Sequence, residues 1–157
     1  MAQTKPFQWY QYEQPVAIPG MKADATEDVI DSFCAETAVD PGEVVIRGTD
    51  ATNQIKPAAQ ASDATSAIGV AVHTQKDYDG TGKYYKQGDS VPVMTFGDVY
   101  VEVGAAVTAG AQAGLVAGEG GAPSITVASA SSAVGIAGAT FLANGASGDI
   151  VPLRIRK

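Results

Sequence analysis

The side chains able to do chemistry are few and scattered. His73 is the single histidine and Cys34 the single cysteine. A lone imidazole can act as a general base, but no serine or cysteine stands at a spacing that would make it serve a nucleophile. Val70, Val72 and Thr74 alternate with Ala71 and His73, which places the histidine on the more polar face of a strand. Cys34 has neither a glycine elbow nor a basic cluster to hold a thiolate, so it reads as a small half-buried residue. Asp77-x-Asp79-Gly80-x-Gly82 has the outline of a calcium loop, yet Lys83, Tyr84 and Tyr85 follow where further oxygen ligands belong. A glycine-rich exposed turn is expected there instead. Gly118-x-Gly120-Gly121 leads into Pro123, which cannot continue a phosphate-binding helix. Paired carboxylates for glycoside hydrolysis can lie far apart in a chain, but the acidic residues here, Asp89 and Asp98 among them, fall mostly in turns where solvation accounts for them. No catalytic residue, cofactor or metal site is expected, and the chain does not read as an enzyme.

The elements that would position these residues are short strands, and part of their pattern is repeated. Ser66-Ala67-Ile68-Gly69-Val70-Ala71 precedes Tyr85-Lys86-Gln87-Gly88-Asp89-Ser90-Val91-Pro92-Val93. Ser132-Ala133-Val134-Gly135-Ile136-Ala137 precedes Ala146-Ser147-Gly148-Asp149-Ile150-Val151-Pro152-Leu153. Each copy sets a short apolar strand with a central glycine before a Gly-Asp turn and a second alternating strand that contains proline. This is the punctuation of an antiparallel β domain. Further strands are expected at Glu43–Gly48 after the Asp40-Pro41-Gly42 turn, at Gln54–Lys56, at Ile68–Thr74, and at Ser124–Ala128, Val134–Phe141 and Ile150–Ile155. Val91–Thr95 and Val99–Val103 flank Phe96-Gly97-Asp98, which reads as a tight hairpin. Ala105–Ala117 offers two short strands about a glycine-marked turn. Thr26–Ala35 is open to two readings, a short capped helix or an extended segment. Nine to eleven strands without a persuasive amphipathic helix predict an all-β sandwich or barrel-like domain of the jelly-roll or β-tulip kind.

A chain of 157 residues suits one domain, with a thin core because much of its 45% apolar content is alanine. Ten basic against seventeen acidic residues give −7, which argues against a nucleic-acid surface. No apolar run is long enough for a membrane span, and residues 1–15 lack the apolar region of a signal peptide. Synthesis in the cytoplasm is expected, with no disulfide.

Residues 1–20 form a different kind of sequence. Phe7, Trp9, Tyr10 and Tyr12 sit among glutamines, bounded by Pro6, Pro15 and Pro19. This is too much apolar surface to leave in water and too polar a setting for a core strand. An extended arm that packs on a neighbouring surface is one reading, and a first strand covering its own domain is the other. The expected organisation is an arm over 1–20 and an all-β body over 21–157.

Taken in order, Ala67-Ile68-Gly69-Val70-Ala71-Val72-His73-Thr74-Gln75, Tyr85-x-x-Gly88-Asp89-x-Val91-x-Val93, Gly97–Val103, Ala106–Gly110, Gly138–Phe141 and Gly148–Leu153 resemble the structural cement or decoration proteins of tailed-phage capsids. Ile30-Asp31-Ser32 and Pro41–Val45 fit the same pattern, so the resemblance covers roughly residues 20–155. It implies an all-β protein on the outer surface of the virion's capsid, often a homotrimer, that braces neighbouring major capsid protein subunits without chemistry. His73 stands where such chains commonly carry arginine, and Phe7–Tyr12 lies outside the pattern. Phe7, Trp9, Tyr10 and Tyr12 are the expected interface anchors, with Arg47, Arg154 and Arg156 as polar contacts. The expected partners are the major capsid protein and further copies of the chain, with no nucleic acid and no membrane. A tail or baseplate β module would share these features. So would a carbohydrate-binding module, in which Trp9, Tyr10, Tyr84, Tyr85 and Tyr100 would be stacking platforms.

Overall fold

Apolar residues recurring at every second position put one face of each segment toward a core, and the described residues fold mainly as strands. The computed structural model describes residues 17–25, 27–118 and 122–156. Among them run β1 (Val29–Ala35), β2 (Val44–Arg47), β3 (Gln54–Pro57), a short 3-10 turn (Ala61–Ser66), β4 (Ala67–Ala71), β5 (Ser90–Glu102), β6 (Gln112–Ala117), β7 (Pro123–Val127), β8 (Val134–Phe141) and β9 (Ile150–Arg156). The fold is all-β, as the sequence pattern requires. Of the two readings of Thr26–Ala35 the extended one holds over Val29–Ala35, because β-branched Val29 and Ile30 and aromatic Phe33 favour a pleated surface.

One sheet in the order β1-β3-β2-β4-β5-β9-β8-β6-β7 closes on itself through a β1–β5 pairing. Strands β1, β3, β2, β4 and the first half of β5 therefore make a five-stranded barrel. The second half of β5 continues into a like arrangement with β9, β8, β6 and β7, and a parallel bridge between Val103 and Ile125 ties β7 back to the end of β5.

The two halves are copies. Ala35 pairs with Ile55 in parallel as Val103 does with Ile125. Val39 bridges Tyr85 as Val107 bridges Gly145. Ala71 lies opposite Val93 as Phe141 lies opposite Leu153. The repeat seen at residues 66–93 and 132–153 is thus the most visible part of a duplication that spans the body.

Four turns of one design hold the copies together. Glycines 42, 88, 110 and 148 have φ between +84° and +88°, a region open to glycine at no steric cost. Each donates its N–H to a carbonyl across the barrel, from Ala71, Ala35, Phe141 and Val103 respectively. Each of those four residues returns a bond from its own N–H to the carbonyl of the residue after the glycine. In three turns that residue is acidic and also caps its turn: Glu43 accepts from the Asp40 N–H, Asp89 from Lys86 and Asp149 from Ala146, all at 2.8 Å.

The interiors are equivalent position by position. Barrel one packs Ala35, Val39, Val45, Ile55, Ala71, Tyr85, Val91 and Val93. The matching side chains of barrel two, Val103, Val107, Ala113, Ile125, Phe141, Val151 and Leu153, belong to a larger cluster. That cluster continues through Val44, Val70 and Met94 of the first half to Leu115, Ile136 and Ile155 of the second, so it joins the two halves while the interior of barrel one remains a separate cluster.

Three expectations are corrected. Phe96-Gly97-Asp98 is no hairpin: β5 runs unbroken from Ser90 to Glu102. Gly97, at φ +134°, bends the strand from one barrel into the other. A Cβ there would stand 2.8 Å from Asp28 Cβ. The strand expected over Ile68–Thr74 ends at Ala71, with one further bond from the Val72 N–H to the Pro92 carbonyl, after which the His73 N–H donates to the Gly20 carbonyl. The first of the two strands expected within Ala105–Ala117 contributes a single bridge at Val107, and the paired strand begins at Gln112.

Candidate interaction surfaces

The described part of the N-terminal segment is bound to the body. Gly20 and Tyr100 are joined by the bond from the Gly20 N–H to the Tyr100 carbonyl, the Tyr100 N–H donates to Met21, and the Ala23 N–H donates to Asp98. Residues 20–23 thus lie as an antiparallel strand along the second half of β5. Phe7, Trp9, Tyr10 and Tyr12 lie outside the described residues.

Beneath that segment is Asp98, the one charged residue that is buried among the described residues, with only 2% exposed. Its alternation with Val99 and Val101 sends it to the outer face of β5, where Arg154 of the neighbouring strand β9 stands directly opposite. The guanidinium donates through Nε to Oδ1 at 2.9 Å and through an Nη to Oδ2 at 2.7 Å. This fork geometry gives a charge-assisted pair both strength and direction. Arg156, two residues on and on the same face, reaches within 3.9 Å of Oδ1 and lies 4.2 Å from the Phe96 ring centroid. Arg47 is remote from both: it stacks 4.5 Å from the Phe33 centroid and donates to the Thr52 carbonyl at 3.4 Å. Arg154 and Arg156 therefore form one group and Arg47 another, each with an intrachain partner and each still open to solvent on one side.

A second polar group lies on the loop between β4 and β5. Lys86 pairs with Asp79, Lys76 with Asp89, and Lys83 with Glu43. Asp79 also accepts from the Thr81 N–H and hydroxyl. These donors, Lys86 first, hold the Asp79 carboxyl well below the ordinary range, while Lys76 does most to lower Asp89. The loop closes on its own bonds, as a glycine-rich turn should. Among the described residues no cluster of three or more histidine, cysteine or carboxylate groups could hold a metal.

Tyr84 packs against His73 at 4.9 Å, Tyr78 at 5.2 Å and Tyr85 at 5.0 Å between ring centroids. Tyr85 is corrected as a stacking platform: its ring fills barrel one, 1% exposed, and its hydroxyl donates to the Val72 carbonyl at 2.6 Å. Cys34 is half-buried, as expected. A groove runs between the barrels past Pro19, Pro41, Lys56, Glu102 and Pro123. Sequence reasoning missed the Asp98–Arg154 pair because it assigned Asp98 to a turn; on a continuous strand its outward phase relative to Val99 and Val101 would have shown it.

These features define an all-β protein of two fused barrels with fixed charge pairs on its outer faces. The chain belongs to the structural cement protein family (E217 gp24/Pam3 gp6), whose model matches residues 6–156. It is accordingly a capsid-associated structural protein of phage. A chain in "The capsid of Myoviridae Phage XM1" shares the fold at a TM-score of 0.73 and 19% identity, over 95% of this chain and 96% of that one. The N base of head fiber gp8.5 in bacteriophage phi29 is similar at a TM-score of 0.52 and 20% identity, over 83% of this chain and 95% of that one. No curated protein matches the chain.

Proposed function

We propose that this protein is a cement protein that binds the outer surface of a phage head and bridges neighbouring major capsid protein subunits, so stabilising the shell. The observation that carries this reading is the family match across residues 6–156. The double barrel supports it, since strands paired on both sides suit an element that transmits load between its contacts. In this reading the chain acts as a homotrimer on the virion exterior after synthesis in the host cytoplasm, and it neither catalyses a reaction nor binds nucleic acid or membrane.

Residues 1–20 serve as an arm and residues 21–157 as the body. Phe7, Trp9, Tyr10 and Tyr12 anchor the arm on a neighbour, while Arg47, Arg154 and Arg156 use their open sides to set register. An arm and a body that touch different neighbours need only modest affinity each, because the second contact forms at high effective concentration. Buried aromatic anchors dominate interface energies, with loss of a central one costing about 2 kcal/mol or more. Deleting residues 1–13 is expected to leave the body folded by circular dichroism and to lower occupancy on particles. Unchanged occupancy would defeat the arm's assigned role, and an unfolded product would make it part of its own domain.

A further inference from the structure

The duplication exposes an asymmetry at one strand edge. In barrel two, the outward backbone groups of Asp98 and Tyr100 are taken by residues 20–23. The equivalent positions in barrel one are Ile30 and Ser32, since β1 pairs with the first half of β5 as the second half of β5 pairs with β9. The phase of β1 confirms the direction. The Cys34 N–H leaves β1 on the side away from β5, toward the Asn53 carbonyl, and Ser32 and Ile30 follow at the strand's period of two. Beyond Cys34, β3 no longer covers this edge. Among the described residues no backbone bond reaches the outward groups of Ile30 or Ser32. Val29 is 46% exposed and Ile30 38%, so apolar side chains border the open edge. Natural edges are normally blunted by charges, proline or bulges. This stretch, Val29-Ile30-Asp31-Ser32, has no lysine or proline, and its protection is limited to Asp31 and a register shift against β5 between Val29 and Ile30.

We propose that the Val29–Ser32 edge of β1 accepts the segment Phe7–Gln14 of a second copy of this chain as an added strand. Residues 20–23 show that the N-terminal region of this chain already serves as an added strand at the equivalent edge. Between Pro6 and Pro15 stand eight residues free of proline, rich in aromatics that favour strands, which is enough to pair along the edge and cover Val29 and Ile30. Chain direction selects a second copy. Residues 20–23 and then β1 follow the same edge of β5 from Tyr100 toward Ser90, so whatever precedes Ala17 leaves from the end of β5 farthest from Ser32. Main-chain bonds would supply affinity and the aromatic side chains selectivity.

This inference rests on the proposed role of the arm, yet it is tested separately from capsid binding. A full-length Ser32→p-benzoylphenylalanine variant is irradiated both on decorated particles and as concentrated free protein, and the crosslinked peptides are identified by mass spectrometry. The expected product is a dimer joining position 32 to residues 1–16 of another copy, in at least one of the two settings. Attachment to the chain's own arm, to the major capsid protein or to nothing in both settings would overturn it. Should the bulky residue disturb folding, amide exchange of the unsubstituted chain decides. The Ile30 and Ser32 amides slow by about ten-fold or more on self-association, while the Tyr100 amide, already bonded to Met21, is slow throughout. Unchanged exchange at Ile30 and Ser32 in the associated protein would overturn the proposal. Particle occupancy, read independently, tests the capsid role.

Discussion

Asp98 shows how one residue can carry a local structure. Its carboxylate is desolvated between β9 and residues 20–23, and the Arg154 fork supplies the compensation. Removing Arg154 leaves the buried carboxylate with only the more distant Arg156, 3.9 Å away, at a cost of up to about 3 kcal/mol, whereas removing both partners of the pair costs less. Arg154→Leu is therefore expected to destabilise the body by up to about that amount, and adding Asp98→Asn to recover a large part, as read by urea denaturation of both single variants and the double. Additive losses would show that Asp98 is compensated elsewhere. The barrel interiors show a second residue-level adjustment. Barrel one places Tyr85 at the loop and Ala71 on the strand, whereas barrel two places Gly145 at the loop and Phe141 on the strand. A large and a small side chain have exchanged positions between the copies, and the volume to be filled is kept. A Cβ at Gly145 would stand 2.5 Å from Val151, so the second barrel has no room for a tyrosine there.

At the level of elements, the turns were legible and the strand pairing was less so. Gly42-Glu43, Gly88-Asp89 and Gly148-Asp149 carry a positive-φ residue and an acidic cap in two adjacent letters, and such local chemistry survives in sequence. The fourth turn, Gly110-Ala111, has no acid to mark it. There the side chain of Asn144 accepts from the Ala109 N–H instead, a partner far along the chain. The continuity of β5 was hidden for a similar reason. Phe-Gly-Asp has the composition of a hairpin, and only the long-range pairing of both halves of the strand shows that it bends rather than reverses. Candidate residues were legible as chemical types, but grouping Arg154 with Arg156 and separating Arg47 required the sheet order. The clip role of the turn glycines gives a direct expectation. A Cβ at Gly88 or Gly148 meets no neighbour within 4 Å, so Gly88→Ala and Gly148→Ala should each cost only the left-handed backbone penalty of about 1–2 kcal/mol. Thermal melts showing no loss would mean these turns relax without strain.

For the whole molecule, pH acts through exposed carboxylates that are better bonded in the fold than in the open chain. Hydrogen bonds from Lys86 and Thr81 lower Asp79, Lys76 and the Lys86 N–H lower Asp89, Thr49 lowers Glu36, and Asn53 and Thr52 lower Asp50. Their ordinary values are 3.8 for aspartate and 4.5 for glutamate. A depressed folded value gives stability that is present above the ordinary value and lost as pH falls through the folded one. Melting temperature is expected to be level from neutral pH down to about 5 and to fall through and below the ordinary carboxylate range. A midpoint that rises on acidification would reverse the sign of this account. The double barrel, with two apolar clusters and charges fixed at its surface, is compatible with the proposed role as a brace. The most direct measurement of that role compares particles with and without the protein by cryo-electron microscopy and by survival of heat or osmotic shock. The expected result is density on the outer shell that spans adjacent major capsid protein subunits, together with greater survival of the decorated particles. Full external occupancy with equal survival, or absence of the protein from the shell, would contradict it.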